Sequence, residues 1–302
     1  ADIDIHDEIE RLRKERNAVI LAHYYQEDEI QDLADFIGDS LQLAKAARDT
    51  EADVILFCGV HFMAETAKIL NPSRTVLIPD LDAGCSLSDS ITPEDVRLMK
   101  ERYPGVPVVT YVITPAAIKA ESDICCTSAN AVAVVESLGV ERVIFLPDEY
   151  LGRNVANQTD VSVITWAGRC IVHEQFTVEE IRAYRAQYPD IVVIAHPECS
   201  PEVCAECDFV GSTTAMIDYL DEAKSNRVIM VTESSMSDNV AEAHPELDFV
   251  RPCTICPHMK KITLEKTLAS LTDMKHEIVI EEEMRLKALR SVERMLEIGR
   301  KD

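Results

Sequence analysis

Apolar runs of strand length alternate along the chain with stretches whose apolar positions recur at helical spacing. Residues 7–17 pattern as a polar amphipathic helix. Residues 19–26 begin as an apolar strand and end in the polar aromatic step His23-Tyr24-Tyr25-Gln26. Further strands are predicted at 54–58, 75–79, 106–111, 143–146, 161–165, 191–195 and 228–232. Helices are predicted over 27–37, 41–47, 63–70, 116–120 and 201–207. Three segments that begin at Asp35, Asp123 and Asp208 read as turns opening helices.

Strands separated by helices imply parallel sheets covered on both faces, an α/β fold. The pattern also repeats. Ser40, Ser128 and Ser212 follow one another at intervals of 88 and 84 residues, each just after one of the Asp-led segments. Cys85, Cys170 and Cys256 stand at intervals of 85 and 86 residues. Together they predict three similar αβα modules, residues 1–85, 86–170 and 171–258. A pseudo-threefold arrangement would let each module deliver one sulfur to a central site. Residues 259–302 pattern as charged helices packing back on the first module, with Glu281, Arg285, Lys287 and Arg290 on a solvated face.

Composition narrows the function classes. At 302 residues and 47% apolar, the chain can bury a core of more than one domain. No apolar run approaches the ~18 residues of a membrane helix. The opening residues lack a secretory pattern, so a soluble, cytoplasmic protein is expected. Acidic residues outnumber basic ones 54 to 30, and the net charge of −24 argues against nucleic acid and anionic membrane as partners. An anionic small molecule would be repelled at long range and must meet local, aimed donors. Ten cysteines without an export signal point to metal binding or catalysis rather than disulfides.

In parallel α/β sheets, function gathers at the C-terminal ends of strands and the helix starts behind them. Those positions hold His23, Tyr25 and Ser40 in the first module, and Tyr111 and Ser128 in the second. In the third they hold His196, Glu198, Ser212 and Thr213. One Ser or Thr at a helix start is ordinarily a cap. Three in register also suit an anion, because helix N-termini aim N–H donors outward. His196-Pro-Glu198 pairs a base with a carboxylate at a strand end. His173, three residues after Cys170, is a ligand or a supporting partner. Cys256 stands before Pro257 at a helix entrance, where a thiol is biased towards thiolate. The pairs Cys204…Cys207 and Cys253…Cys256 offer a four-thiolate zinc site, although 45 residues separate them. One sulfur each from Cys85, Cys170 and Cys256 instead leaves a metal position open and suits iron–sulfur chemistry. Cys58, Cys125, Cys126 and Cys199 read as small buried hydrophobes.

The motifs Leu21-Ala-His-Tyr-Tyr-Gln26, Ile37-Gly-Asp-Ser-Leu41, His196-Pro-Glu198, Val210-Gly-Ser-Thr213 and Cys256-Pro-His-Met-Lys260, with Ile262-Thr-Leu-Glu-Lys266 behind the last, resemble the quinolinate synthase family. The resemblance runs from about residue 17 to about residue 275. It implies three αβα modules around one 4Fe–4S cluster per chain, held by Cys85, Cys170 and Cys256, with one iron open as a Lewis acid. The implied reaction condenses iminoaspartate with dihydroxyacetone phosphate to quinolinate, losing phosphate and water, in NAD biosynthesis. Substrate contacts carry over to His23, Ser40, Tyr111, Ser128, His196, Glu198 and Thr213, with Tyr25 and His173 as further site residues. Catalytic roles fall on Glu198, Tyr25, Tyr111 and His23. Small molecules are the implied partners, together with contact to the aspartate-oxidising enzyme that supplies iminoaspartate. Other three-module cluster enzymes, such as the diphosphate reductase of isoprenoid synthesis, share parts of the pattern. So does a zinc-stabilised scaffold. The chain departs from the family at one place: Ile113 follows Tyr111-Val112 where the family carries asparagine, and a slow or inactive enzyme is expected.

Overall fold

The computed structural model describes residues 4–223 and 225–300. Residues 1–3 and 301–302, included in the first and last predicted segments, lie outside the described residues, as does residue 224. Three four-stranded sheets form, one in each predicted module. The first contains β1 (Ala18–His23), β2 (Phe36–Gly38), β3 (Val54–Cys58) and β4 (Thr75–Leu77). The second contains β5 (Val108–Tyr111), β6 (Ile124–Cys126), β7 (Arg142–Leu146) and β8 (Ser162–Thr165). The third contains β9 (Val192–Ala195), β10 (Phe209–Val210), β11 (Arg227–Val231) and β12 (Asp248–Val250). Each sheet is parallel throughout and runs in the order second, first, third, fourth strand. Buried residues fill β3 and β9 from end to end, as sheets covered on both faces require.

The Asp-led segments are the short second strands, not the first turns of helices. Two or three residues leave no alternation to read, so periodicity could not find them. Their aspartates set the register. Asp35, Asp123 and Asp208 accept the N–H of Ile20, Val108 and Val193 at 2.7, 2.7 and 2.8 Å. Each aspartate also donates its own N–H back to the carbonyl of the same residue.

The helices behind the cysteines link the modules into a ring. Thr92, Thr177 and Thr263, each seven residues past its cysteine, cap helices Pro93–Arg102, Val178–Gln187 and Leu264–Asp273. Each helix covers the module after its own cysteine. Val96 packs with Val108 and Ile144, and Ile181 packs with Val193 and Ile229. Helix Leu264–Asp273 returns to lie against helix Ile5–Glu15 of the first module, where Leu271 joins Ile9 and Leu12.

Helix Glu282–Ile298 does not stay on the first module, as expected from the sequence. It lies over the seam with the second, chiefly against helix Ala116–Ala120 and β6. Ala288, Val292 and Met295 are buried there, and three polar side chains bond backbone carbonyls across it. Arg285 reaches Ile69, Ser291 reaches Lys119 and Arg294 reaches Asp123 at 3.1, 2.9 and 2.8 Å. Arg285 is therefore buried rather than on the solvated face. No helix among the described residues is long and apolar enough to cross a membrane.

Candidate active site

All three modules contribute side chains to one cavity. The contributions are equivalent by sheet register. His23 pairs with Gly38 and Tyr111 with Cys126, and extending the β9–β10 register sets His196 opposite Gly211. Two residues further on stand Tyr25, Ile113 and Glu198. Two residues past the partners stand Ser40, Ser128 and Thr213. All nine of these side-chain positions line the cavity. Ser212, which the sequence spacing singled out, instead caps helix Thr213–Tyr219 by accepting the Ala215 N–H at 3.2 Å. The residue in register with Ser40 and Ser128 is its neighbour.

The cysteine loops are built alike. Cys85, Cys170 and Cys256 line the same cavity. Two residues before each cysteine, the carbonyl of Ala83, Gly168 or Thr254 accepts an N–H from the helix start behind the third strand. The donors are His61, Glu149 and Ser234, at 2.7, 2.8 and 2.7 Å. In the middle loop the approach is so close that a Cβ on Gly168 would sit 2.4 Å from the Pro147 carbonyl, so only glycine fits. Each cysteine carbonyl then accepts the N–H four residues on, from Asp89, Glu174 and Lys260. Each sulfur also meets two backbone N–H groups: Leu87 and Ser88 for Cys85, Val172 and His173 for Cys170, His258 and Met259 for Cys256.

These loops fit a thiolate-bound metal group. Burial pushes the Cys85 thiol up to about 12 and raises the other two, so positive charge must be brought among the sulfurs before they ionise. The paired N–H groups are already aimed at the thiolates that would result. Among the described residues, the metal-donor side chains gathered within 4.8 Å of one another are Cys170, His173 and Glu198. The three loop sulfurs form no such group at that distance, which is too wide for one ion bound at ~2.3 Å by all three. Cys204 and Cys207 do not line the cavity; they pack on the core beneath β9 and β11.

Glu198 is the electrostatic centre of the polar wall. Burial opposes its ionisation, but the hydrogen bonds from His173 and Tyr111 favour the carboxylate and hold the carboxyl below the usual range. His173 Nδ1 lies 2.9 Å from Glu198 Oε2, and the Tyr111 hydroxyl donates to Oε1. Nδ1 is also 3.2 Å from Cys170 Sγ. On its other side, His173 Nε2 is 2.8 Å from Thr232 Oγ1, which is 2.8 Å from the Tyr25 hydroxyl. A run of hydrogen bonds thus joins Tyr111, Glu198, His173, Thr232 and Tyr25 across three modules. Burial raises both phenols well above their ordinary range, and Glu198's charge adds to it.

His23 and His196 sit in matching local turns. The N–H two residues on, from Tyr25 or Glu198, donates to Nδ1 at 3.1 Å in both cases. That leaves Nε2 as the protonated nitrogen. For His196 it meets Ser128 Oγ at 3.2 Å. Burial lowers the two rings to about 4 and about 3, so both are neutral N–H donors.

Sequence reasoning passed over Asp39 and Thr232. Asp39 lines the cavity and caps helix Ser40–Asp49 through a reciprocal bond with Gln42, a signature legible in Asp39-Ser-Leu-Gln42. Thr232 follows directly on β11; the strand-end rule applied to third strands would have found it.

Residues 7–297 match the quinolinate synthetase A protein family. The chain is 61% identical to quinolinate synthase 2 of Mesorhizobium japonicum over 293 residues, 97% of this chain and 90% of that protein. It is 59% identical to the quinolinate synthase of Agrobacterium fabrum over 95% of this chain and 84% of the relative. Against the quinolinate synthase of Xylella fastidiosa it is 55% identical, covering 98% and 88%. With these relatives and a matching family over nearly its whole length, the chain belongs to the quinolinate synthetase A family of enzymes.

Proposed function

We propose that this enzyme condenses iminoaspartate with dihydroxyacetone phosphate to quinolinate in NAD biosynthesis, at the cavity where the modules meet. The observation that carries the reading is the threefold identity of the cysteine loops around one cavity, beside a polar wall equipped to move protons. Cys85, Cys170 and Cys256 would hold a 4Fe–4S cluster. When bound, that group supplies a Lewis-acidic iron able to polarise a substrate oxygen.

The chain's own residues do the rest. His23 and His196, neutral and pinned at Nδ1, present N–H donors to an anionic substrate. The hydroxyls of Ser40, Ser128 and Thr213 face the same space. Such donors bind carboxylate or phosphate without adding charge, and they offset the repulsion from a net charge of −24. Glu198, ionised and buried, is the base that accepts protons released from substrate carbon. Tyr25 and Tyr111, protonated and buried, are the acids that supply protons to leaving oxygens. His173 and Thr232 hold Glu198 and Tyr25 in one connected geometry. Supply of iminoaspartate by an aspartate-oxidising enzyme fits a substrate made by oxidation of an amino acid.

The test is quinolinate formation from the two substrates by anaerobically loaded protein. Glu198→Gln is expected to keep the fold and metal content and to lose turnover by ~10²-fold or more, the size of a general acid–base contribution. An unchanged rate in that variant removes Glu198 from the chemistry. No quinolinate from either the loaded wild type or the loaded Ile113→Asn variant refutes the proposed reaction.

A further inference from the structure

Gly299 and Arg300 touch all three modules, Arg300 at matching places in the first and third. The helices that follow β2 and β10 are capped by the side chains of Asp39 and Ser212, and Asn130 stands just before the helix that follows β6. Asn130 Nδ2 donates to the Gly299 carbonyl at 2.8 Å. The Arg300 guanidinium donates to Ser212 Oγ at 3.0 Å and forms an ion pair with Asp39 Oδ2. The Thr214 hydroxyl reaches the same Asp39 oxygen at 2.8 Å, so the pair binds the first module to the third. The Asp39 side chain is only 9% exposed and that of Arg300 26%, so solvent screens the pair poorly.

Position gives this tie a consequence. Asp39 lines the same cavity as Ser40, Ser128 and Thr213. An unpaired carboxylate there would repel an anionic substrate at short range. We propose that Arg300 is a positioning residue for substrate binding. It neutralises Asp39 in the cavity wall and, with Gly299, ties the helix starts at Ser40 and Thr213 to the turn that carries Ser128, so that the three hydroxyls converge. The effect on catalysis rests on the proposed reaction; the effect on the helix starts does not.

Arg300→Gln in the full chain separates the two. Amide exchange followed by mass spectrometry is expected to quicken at the starts of helices Ser40–Asp49 and Thr213–Tyr219, and to stay as in wild type at the cysteine loops. In the quinolinate assay, KM is expected to rise about 10-fold with kcat within about 3-fold, the pattern of lost substrate binding. Adding Asp39→Asn, which still caps the helix, should return KM towards wild type, because no bare charge remains. Unchanged exchange at both helix starts overturns the tie. A KM rise that Asp39→Asn does not relieve overturns the neutralisation. If neither wild type nor Ile113→Asn makes quinolinate, the proposed reaction fails while the exchange experiment still decides the tie.

Discussion

At the scale of single residues, the threefold register makes Ile113 the odd member of its set. Tyr25 and Glu198 occupy the matching places in the other modules with hydrogen-bonding groups, and Ile113 lines the same cavity with none. A substrate oxygen desolvated against it goes unpaired, which costs about 1–3 kcal/mol. Ile113→Asn is therefore expected to raise quinolinate formation by about 10-fold or more, equivalent to ~1.4 kcal/mol; equal turnover of the two proteins would remove position 113 from the substrate's surroundings. His196 carries a second prediction. Its ring, held down at about 3 chiefly by burial, stays neutral in the folded state. The unfolded chain takes up that proton below about pH 6.5, so its contribution to stability falls as pH drops through that value, by about 2 kcal/mol at pH 5. In denaturant unfolding of metal-free protein, His196→Asn should lose about 2 kcal/mol less than wild type between about pH 7 and pH 5. Parallel losses would mean the ring is not buried neutral. His23, Tyr25, Glu198 and the three cysteines were legible because strand-end position and even spacing both survive in sequence. Spacing singled out Ser212 because serine matched serine, while the motif pointed to Thr213; the sheet register shows that Thr213 is the one that matches.

At the scale of elements, the short second strands were illegible and their aspartates were the missing clue. A two-residue strand such as β10 exists because its neighbour β9 and the Asp208 carboxylate hold it, not because of its own pattern. The same dependence gives a measurable cost at Asp123, which exchanges two hydrogen bonds with Val108, at 2.7 and 3.0 Å. Asp123→Ala should destabilise the protein by about 1–3 kcal/mol in urea unfolding, with Asp123→Asn costing less because it keeps an acceptor. An alanine variant as stable as wild type would mean that β6 is registered by packing alone. Longer elements were read well wherever one period dominated. Strand β3 and helix Ala116–Ala120 fall where the apolar pattern sets them. The charged face of the final helix was legible, with Glu281, Lys287 and Arg290 exposed, but not its seat across two modules, where Arg285 and Arg294 bond carbonyls of the first and the second.

At the scale of the whole molecule, three copies of one supersecondary unit are closed into a ring by the helices behind the cysteines. The first two modules share one apolar core, in which Leu56 and Phe145 both lie, while the third sheet is covered by separate clusters on its two faces. The ring brings three equally built thiol loops to one cavity, and that convergence is the central claim. It is tested most directly by iron and sulfide content after anaerobic loading of wild type, Cys85→Ala, Cys170→Ala, Cys256→Ala and the Cys204→Ala/Cys207→Ala pair. Wild type and the paired variant are expected to hold about four irons per chain with the visible absorption of a cluster, and each single loop variant is expected to lose it. Full iron content in any one of the three loop variants, or loss of iron in the Cys204/Cys207 pair, would contradict the account.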